Sequence, residues 1–224
     1  MELNRSLIEL GEPLPPAQLA NVTDARGLIV LLQGGSASGR INSSVAARLQ
    51  MRQLDTLQLD LLTHDERAQE RSDREHVDLL TERLFMALDA LAAPERQREP
   101  AHARVQAHWR TLPLGLMAAD TYAAAGLRVA AHRPKAVRAL VSRGGRLDLA
   151  TDVLGDLNAP TLLLAGAADP EMIEISRTGF ARLRCEKRIE LVPRATRLFL
   201  EAGTLDDVAQ RAGDWFSDHL VAVG

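Results

Sequence analysis

The strongest constraint on the fold is a regular alternation along the chain between apolar runs of strand length and longer helical patterns. The runs carry Leu, Ile and Val at consecutive positions, which is typical of strands buried on both faces of a sheet. The predicted strands are Gly27–Leu32, Thr56–Leu62, Leu112–Met117, Ala136–Val141, Pro160–Ala165 and Arg188–Val192. The predicted helices are Val45–Gln53, Asp73–Ala92, Thr121–His132, Glu171–Leu183 and Leu205–Leu220. The alternation predicts an α/β fold with a mostly parallel, doubly wound sheet and helices on both faces.

One domain is expected to account for the whole chain. Its 224 residues fit a single large domain better than two, and no low-complexity linker divides them. We therefore predict one domain over residues 1–224, with no large cap. Within it, residues 1–25 are expected to form an extended strand region at the edge of the sheet, bent at Pro13-Leu14-Pro15-Pro16.

Composition argues against several classes of function. The 27 basic and 30 acidic side chains leave no excess of positive charge for nucleic acid. No apolar run reaches the roughly 20 residues that cross a bilayer, and the first residues lack the apolar stretch of a secretory signal. A lone cysteine, Cys185, excludes an internal disulfide and a multi-cysteine zinc site. We expect a cytoplasmic protein without a metal, a cofactor, a nucleic-acid partner or a membrane partner.

Polar and glycine-rich segments follow the predicted strands, and they contain the candidate site. In an open α/β sheet, ligands bind beyond the carboxyl ends of the strands. The segments at those ends are Gln33–Ser36, Thr63-His64, Ala118–Tyr122, Ser142–Gly145, Gly166–Asp169 and Pro193–Phe199. Their side chains are therefore expected to meet at one edge of the sheet.

The same segments carry a family resemblance. The chain resembles the α/β-hydrolase superfamily, and within it the dienelactone-hydrolase-like branch, in LIVLLQGG (28–35), VSRGG (141–145), APTLLLAGAAD (159–169) and EKRIELVPRATRLF (186–199). The segments occur in the family's order and the resemblance covers nearly the whole chain, which implies the α/β-hydrolase fold. It does not fix an activity, because function depends on the residues of the site.

Members of this family use a nucleophile, an acid and a histidine, in that chain order. By resemblance, the nucleophile position of their G-x-S-x-G or G-x-C-x-G turn is Asp120, in the sequence Ala118-Ala119-Asp120-Thr121-Tyr122. The acid position is Asp169, and the histidine position, in a loop where relatives carry A-T-H-L-F, is Arg197. The resemblance thus implies a degenerate catalytic triad, in which the Ser or Cys nucleophile and the histidine are both substituted.

These substitutions argue against conventional ester hydrolysis. Arginine stays protonated at ordinary pH, so Arg197 has no lone pair with which to accept a proton. Asp120 could attack a substrate as the aspartate of haloalkane dehalogenases does, yet without a base to activate water the ester intermediate would stall. Because an arginine fork can bind carboxylates, we predict that Asp120, Arg197 and Asp169 form an ion-paired remnant of the triad.

The predicted function is that of a pseudoenzyme, a hydrolase-family fold that binds a small molecule or has another non-hydrolytic role. One alternative is an active hydrolase with Asp120 as nucleophile and His64 or a water network as base. Another is a biosynthetic cyclase or isomerase that uses the old hydrolase pocket, with Asp120 as general base. A homodimer that uses the fold as an interaction surface is a third, so the expected state is a monomer or a homodimer.

Each candidate residue also has a plain structural explanation. Asp120 and Asp169 each precede a predicted helix, where aspartate is a preferred N-cap. Arg197 can be one of many surface arginines, and His64 an idle histidine in a charged loop. Tyr122 either lines the pocket or packs over the turn.

The glycine-rich segment Gln33-Gly34-Gly35 corresponds, by resemblance, to the oxyanion-hole loop, whose backbone N–H groups meet developing negative charge. Those donors depend on the backbone path, so an anion-binding spot can persist after the triad is lost. Thr121 and Tyr122 are expected to flank the same pocket, and Arg143 to add positive charge from a strand-end loop. An anionic small molecule is therefore a candidate ligand.

Overall fold

The computed structural model of the chain describes residues 3–93, 109 and 111–220, and these contain an eight-stranded sheet. Its strands are β1 (Leu3–Ile8), β2 (Ala17–Val22), β3 (Gly27–Gln33), β4 (Leu54–Asp60), β5 (Leu114–Ala119), β6 (Ala139–Gly145), β7 (Thr161–Gly166) and β8 (Lys187–Val192). Their order across the sheet is β1-β2-β4-β3-β5-β6-β7-β8. The β1–β2 and β2–β4 pairs are antiparallel, and all later pairs are parallel.

Helices cover both faces of this sheet. They are α1 (Gly35–Gln50), α2 (His64–Ala68), α3 (Asp73–Ala92), α4 (Asp120–His132), α5 (Pro170–Arg182) and α6 (Thr204–His219). Helices α1 and α6 pack on one face around Trp215 and Phe216, and we call it the Trp215 face. Helices α3 and α4 pack on the other face around Leu84, which we call the Leu84 face. The prediction of a mostly parallel, doubly wound sheet between two helical layers is confirmed.

The N-terminal residues lie at the edge of the sheet. Strand β1 is outermost, and β2 joins it to β4. The bend between β1 and β2 falls at the proline-rich segment, where the Glu12–Pro13 peptide bond is cis. A buried carboxylate fastens this edge, because Asp55 accepts hydrogen bonds from the Val22 N–H and from Asn21 Nδ2, each at 2.8 Å. Across the described part of the chain, no helix is both long and apolar enough to span a bilayer.

Two element bounds near the site differ most from the predicted ones. Strand β6 ends at Gly145, so Arg143 lies inside a strand rather than in the predicted loop. Backbone pairing outweighs the polar sequence there, since Ser142 and Arg143 pair with β5 on one side and β7 on the other. Helix α1 begins at Gly35 rather than at Val45. Its later turns are buried in the core, and the glycine- and serine-rich segment before them is part of the same helix.

The charged segment 63–74 contains the starts of two helices. Thr63 and Glu66 form a capping box at α2, and Ser72 and Glu75 form a second one at α3. An ion pair of 2.6 Å between Glu66 and Arg83 joins the two helices. The second capping box places His76 in the first turn of α3.

The loop that follows β8 lies against the end of β7 because Gly166 has no side chain. A β-carbon on Gly166 would lie 2.3 Å from the carbonyl oxygen of Ala195 and 2.8 Å from that of Thr196. The same Ala195 oxygen accepts a hydrogen bond of 3.0 Å from the Ala168 N–H. Arg197 comes two residues after Ala195, so this close approach brings it to the carboxyl edge of the sheet.

We predict that Gly166→Ala lowers the free energy of unfolding by about 1–3 kcal/mol, because the added methyl group meets backbone atoms that must move. Urea unfolding of the purified variants measures the change. Gly155→Ala is the matched control, since the nearest atom to its β-carbon is 4.0 Å away, and it should stay within about 0.5 kcal/mol of the wild type. Equal stability of the two variants would contradict the close approach.

Candidate functional site

Asp120 lies on a sharp turn between β5 and α4. It is the first residue of α4 and has a φ of +50°, a left-handed conformation that strains any residue with a β-carbon. Its backbone bridges to Gly145 of β6, and its carbonyl oxygen accepts a hydrogen bond of 3.1 Å from the Arg146 N–H. The N-cap of α4 is Ala119, and no side chain caps it. Asp120 therefore sits on an elbow, and the N-cap explanation of this residue is wrong.

Arg197 reaches this elbow. Its Nη2 atom lies 3.0 Å from Asp120 Oδ1, and the two side chains are 47% and 51% exposed. An ion pair this open to solvent contributes only about 0–1 kcal/mol to stability. Its importance is chemical, because the group next to the elbow carboxylate is a permanent cation.

Asp169 does not join this pair. Its carboxylate accepts a hydrogen bond of 3.1 Å from the Met172 N–H and so caps α5, with Pro170 at the first helical position. Arg197 forms one ion pair shorter than 4.0 Å with the residues that the structure describes, and its partner is Asp120. The predicted fork between two carboxylates is therefore half formed, because the helix N-terminus engages Asp169.

Tyr122 packs against the loop between β3 and α1. A β-carbon on Gly34 would lie 2.9 Å from Tyr122 Cε2 and 3.0 Å from the phenol oxygen. Burial and the negative charge of Asp60 raise the pKa of Tyr122 well above its ordinary value, so the phenol stays protonated. The ring thus fills the space beside Gly34, while Thr121, next to it in α4, is partly exposed.

His76 approaches the elbow from α3, and sequence reasoning missed it. Its ring contacts that of Tyr122 edge-on, with centroids 6.1 Å apart. Burial, aided by Arg71, lowers the pKa of His76, and the charges of Asp73 and Asp120 oppose this shift. The sequence feature that could have located His76 is the Ser72…Glu75 capping box, because it fixes the residue at which α3 begins. A neutral imidazole therefore lies within electrostatic reach of Asp120.

His64 lies elsewhere. It is exposed at the start of α2 and lines a groove with Pro13 and Pro15 of the N-terminal bend. The structure therefore does not bring the predicted alternative base to the elbow, because the capping box at Thr63 turns the chain into α2 there.

Arg143 is buried beside the elbow strand. Its residue surface is 7% exposed, and its guanidinium carbon lies 5.6 Å from the centre of the Phe199 ring. Burial lowers the pKa of Arg143 to about 10, so the side chain remains charged at neutral pH. Gln33 ends β3 nearby on the same sheet edge, Gly34 is the N-cap of α1, and Gly35 begins that helix.

Metal ligation has no visible basis in the part of the chain that the structure describes, where no three His, Cys, Asp or Glu side chains cluster suitably for an ion.

The elbow strain predicts that Asp120→Gly is more stable than Asp120→Ala by about 1 kcal/mol. Both variants lose the ion pair with Arg197, so the difference measured by urea unfolding reports the backbone alone. At the next position, Thr121→Ala should instead be more stable than Thr121→Gly, because that residue is ordinarily helical. The same order at both positions would contradict a strained elbow.

The lowered pKa of His76 predicts a pH dependence of stability. As the pH falls below 6.5, the ordinary pKa of histidine, His76 takes up a proton more readily in the unfolded chain than in the folded chain. The free energy of unfolding should therefore fall as the pH drops from 6.5 towards 5, and His76→Gln should reduce that fall. Urea unfolding across this range tests it, with His64→Gln as the exposed control. An unchanged slope in His76→Gln would contradict the assignment.

Comparison with known proteins gives relatives over nearly the whole chain, although no protein-family model matches it. Two curated relatives, from Mycobacterium tuberculosis strains CDC 1551 / Oshkosh and ATCC 25618 / H37Rv, carry the name "Putative phosphoribosyl transferase". Each is 38% identical over 215 residues, which are 95% of this chain and 46% of the relative. The chain thus spans less than half the length of these relatives.

Solved structures agree with the fold. The esterase domain of a Rhodothermus marinus protein superposes with a TM-score of 0.71 at 17% identity, covering 98% of this chain and 100% of that one. Dienelactone hydrolase from Anabaena variabilis ATCC 29413 is 35% identical, with a TM-score of 0.83 and 98% of both chains covered. At that identity over essentially the full length of both molecules, the chain belongs to the dienelactone hydrolase family of the α/β-hydrolase superfamily.

Proposed function

We propose that this member of the dienelactone hydrolase family binds a small molecule at its elbow site and does not hydrolyse esters through a triad. The observation that carries the proposal is the 3.0 Å ion pair between Arg197 and Asp120, at the positions where the family has its base and its nucleophile. The strained turn at Asp120, together with the different residue types at these positions, supports a degenerate triad.

Arg197 cannot replace a histidine. Its guanidinium stays protonated at ordinary pH, so it takes no proton from a nucleophile or from water. One oxygen of the Asp120 carboxylate is also engaged by this cation, so it is not free to take a proton from a substrate. The ion pair therefore counts against the cyclase or isomerase alternative as well as against triad hydrolysis.

Tyr122 supports the proposal independently. In the family, the loop at Gln33-Gly34-Gly35 presents backbone N–H groups to the developing oxyanion. Here the Tyr122 ring presses on Gly34 from the position two residues after the elbow. Small residues at that position let strand and helix approach closely, so a bulky ring there indicates that the site has been remodelled.

A working hydrolase remains the second candidate, because one observation favours it. His76 is held neutral by burial and lies within electrostatic reach of Asp120. In that case Asp120 would form a covalent ester, and His76 rather than the distant His64 would activate the water that releases it.

Turnover of p-nitrophenyl acetate and butyrate tests the proposal. We expect the wild type and Asp120→Ala to release p-nitrophenol at the same rate as buffer. Asp120→Ser/Tyr122→Gly/Arg197→His, which rebuilds nucleophile, small residue and base, should release it measurably faster. Arg188→His is the control for adding a histidine on an exposed strand end. Wild-type turnover that disappears in Asp120→Ala would overturn the proposal, and its loss in His76→Gln would identify the base.

A further inference from the structure

The Arg143 guanidinium is a buried charge that has no charged or hydrogen-bonded partner within residues 3–93, 109 and 111–220. Among the described residues its contact is with the face of the Phe199 ring, at 5.6 Å, and burial alone shifts its pKa. The other charged side chain that is as deeply buried among the described residues, Asp55, accepts two hydrogen bonds of 2.8 Å. Burying a charge costs several kcal/mol unless ions or hydrogen bonds compensate it, and a ring face provides only part of that compensation.

The polar end of Arg143 is nevertheless accessible from outside. Fully enclosed side-chain atoms without a partner belong, in the described part of the chain, to Gln33, Arg83, Trp109, Ser142 and Glu201. No nitrogen of Arg143 is among them, and none has a hydrogen-bond partner. The small exposed area of the residue therefore lies partly on its nitrogens, where a small ion can reach them.

A second unpaired polar group, on Gln33, lies on the same face of the sheet as Arg143. Ala119 pairs with Arg143 across β5 and β6, and the last pair of β3 and β5 is Leu31 with Met117, two residues before Gln33 and Ala119. Leu31, Met117 and Val141 belong to the Trp215 face, so the row Gln33, Ala119 and Arg143, two positions on, lies on that face too. Gln33 Oε1 is fully enclosed and has no partner among the described residues, so Arg143 is the member of the row that a ligand can contact.

The charges around this row also favour an anion. Arg197 is paired with Asp120, and Asp169 is engaged by the N-terminus of α5, so neither carboxylate neutralises Arg143. Helix α1 begins immediately after Gln33 and Gly34, with no capping side chain and no acidic residue in its first turn. Its N-terminal N–H groups add partial positive charge at the same edge.

We infer that Arg143, in the row Gln33–Ala119–Arg143, binds the oxyanion group of a small molecule, a carboxylate or a phosphate, in the fork of its guanidinium. Two oxygens of such a group match the paired N–H donors of arginine. The inference deepens the proposed function, since it names the ligand class of that site and rests on the site being one for binding.

Titration of the wild type with sodium benzoate and with sodium phosphate, at ionic strength held constant with sodium chloride, tests this inference. Calorimetry measures the affinity, and the Nε–Hε resonances of the arginines in a heteronuclear NMR spectrum report which side chain is contacted. We expect one of the two anions to bind and to shift the Arg143 resonance, and the responding anion tells carboxylate from phosphate. Benzamide, which has the shape of benzoate without its charge, should not bind.

Matched variants complete the experiment. Arg143→Met should weaken binding roughly tenfold or more, and Arg143→Lys, which keeps the charge and loses the fork, should fall between it and the wild type. Arg133→Met, at an exposed arginine paired with Asp89, should bind as the wild type does. Without anion, Arg143→Met should also unfold at a higher temperature than the wild type, because it removes an uncompensated charge.

Three results would overturn the inference: neither anion binds, the Arg143 resonance stays still while an anion binds, or Arg143→Met binds as tightly as the wild type. The NMR readout uses the wild type, so it decides the question even if a variant fails to fold. Ester turnover by the wild type would overturn the proposed function and leave this titration valid. Conversely, absence of anion binding would leave the expected lack of turnover untouched.

Discussion

The left-handed turn at Asp120 is the constraint on which the site depends. Any residue with a β-carbon pays roughly 1–2 kcal/mol in this conformation, and the surrounding backbone imposes it regardless of the side chain. Asp120 is held by its bridge to Gly145 and by the hydrogen bond from Arg146 to its carbonyl oxygen. The turn therefore projects whatever side chain it carries at the carboxyl edge of the sheet. Gly166 allows the loop after β8 to approach this edge of the sheet. The Asp120 carboxylate therefore contacts Arg197, which lies in that loop.

Solvation separates the roles of the two arginines near this turn. Arg197 and Asp120 are half exposed, so water screens their attraction and the pair adds little to stability. Its effect is to put a cation without a lone pair where water would have to be activated. Arg143 is buried, and its contact among the described residues is the Phe199 ring. Its charge is therefore little screened by water and is unfavourable for folding. We therefore propose Arg143 as the anion-binding arginine, while Arg197 pairs with the elbow carboxylate.

Much of the fold follows from local sequence, because consecutive apolar residues have to be buried on both faces of a sheet. Strands β3 and β7 and helices α3 and α4 accordingly begin and end close to their predicted bounds. The end of β6 could not be predicted, because Arg143 looks like a loop residue until its backbone pairs with β5 and β7. The start of α1 was missed for a similar reason, since glycine and serine favour loops in isolation.

Side-chain partners were harder to predict than the elements that carry them. The chain order placed Asp120, Asp169 and Arg197 at one edge, and Arg197 does pair with Asp120. Whether Asp169 turns towards Arg197 or caps its own helix depends on competition between an arginine and the Met172 N–H, which sequence alone does not rank. His76 reaches the elbow through packing on Tyr122, a contact between distant segments. Such contacts depend on how α3 lies against α4.

Isotope labelling distinguishes an Asp120 that is only an ion-pair partner from an Asp120 that is a nucleophile. Styrene oxide in H₂¹⁸O is a suitable probe, because a nucleophilic carboxylate opens the epoxide to an alkyl ester, and water attack on the carboxyl carbon then leaves ¹⁸O in the aspartate. Mass spectrometry of the peptide that contains Asp120, with Asp120→Asn as the blank, reads both products. We expect neither an adduct nor a label on Asp120. A styrene oxide adduct or an ¹⁸O atom at this residue would identify Asp120 as a nucleophile.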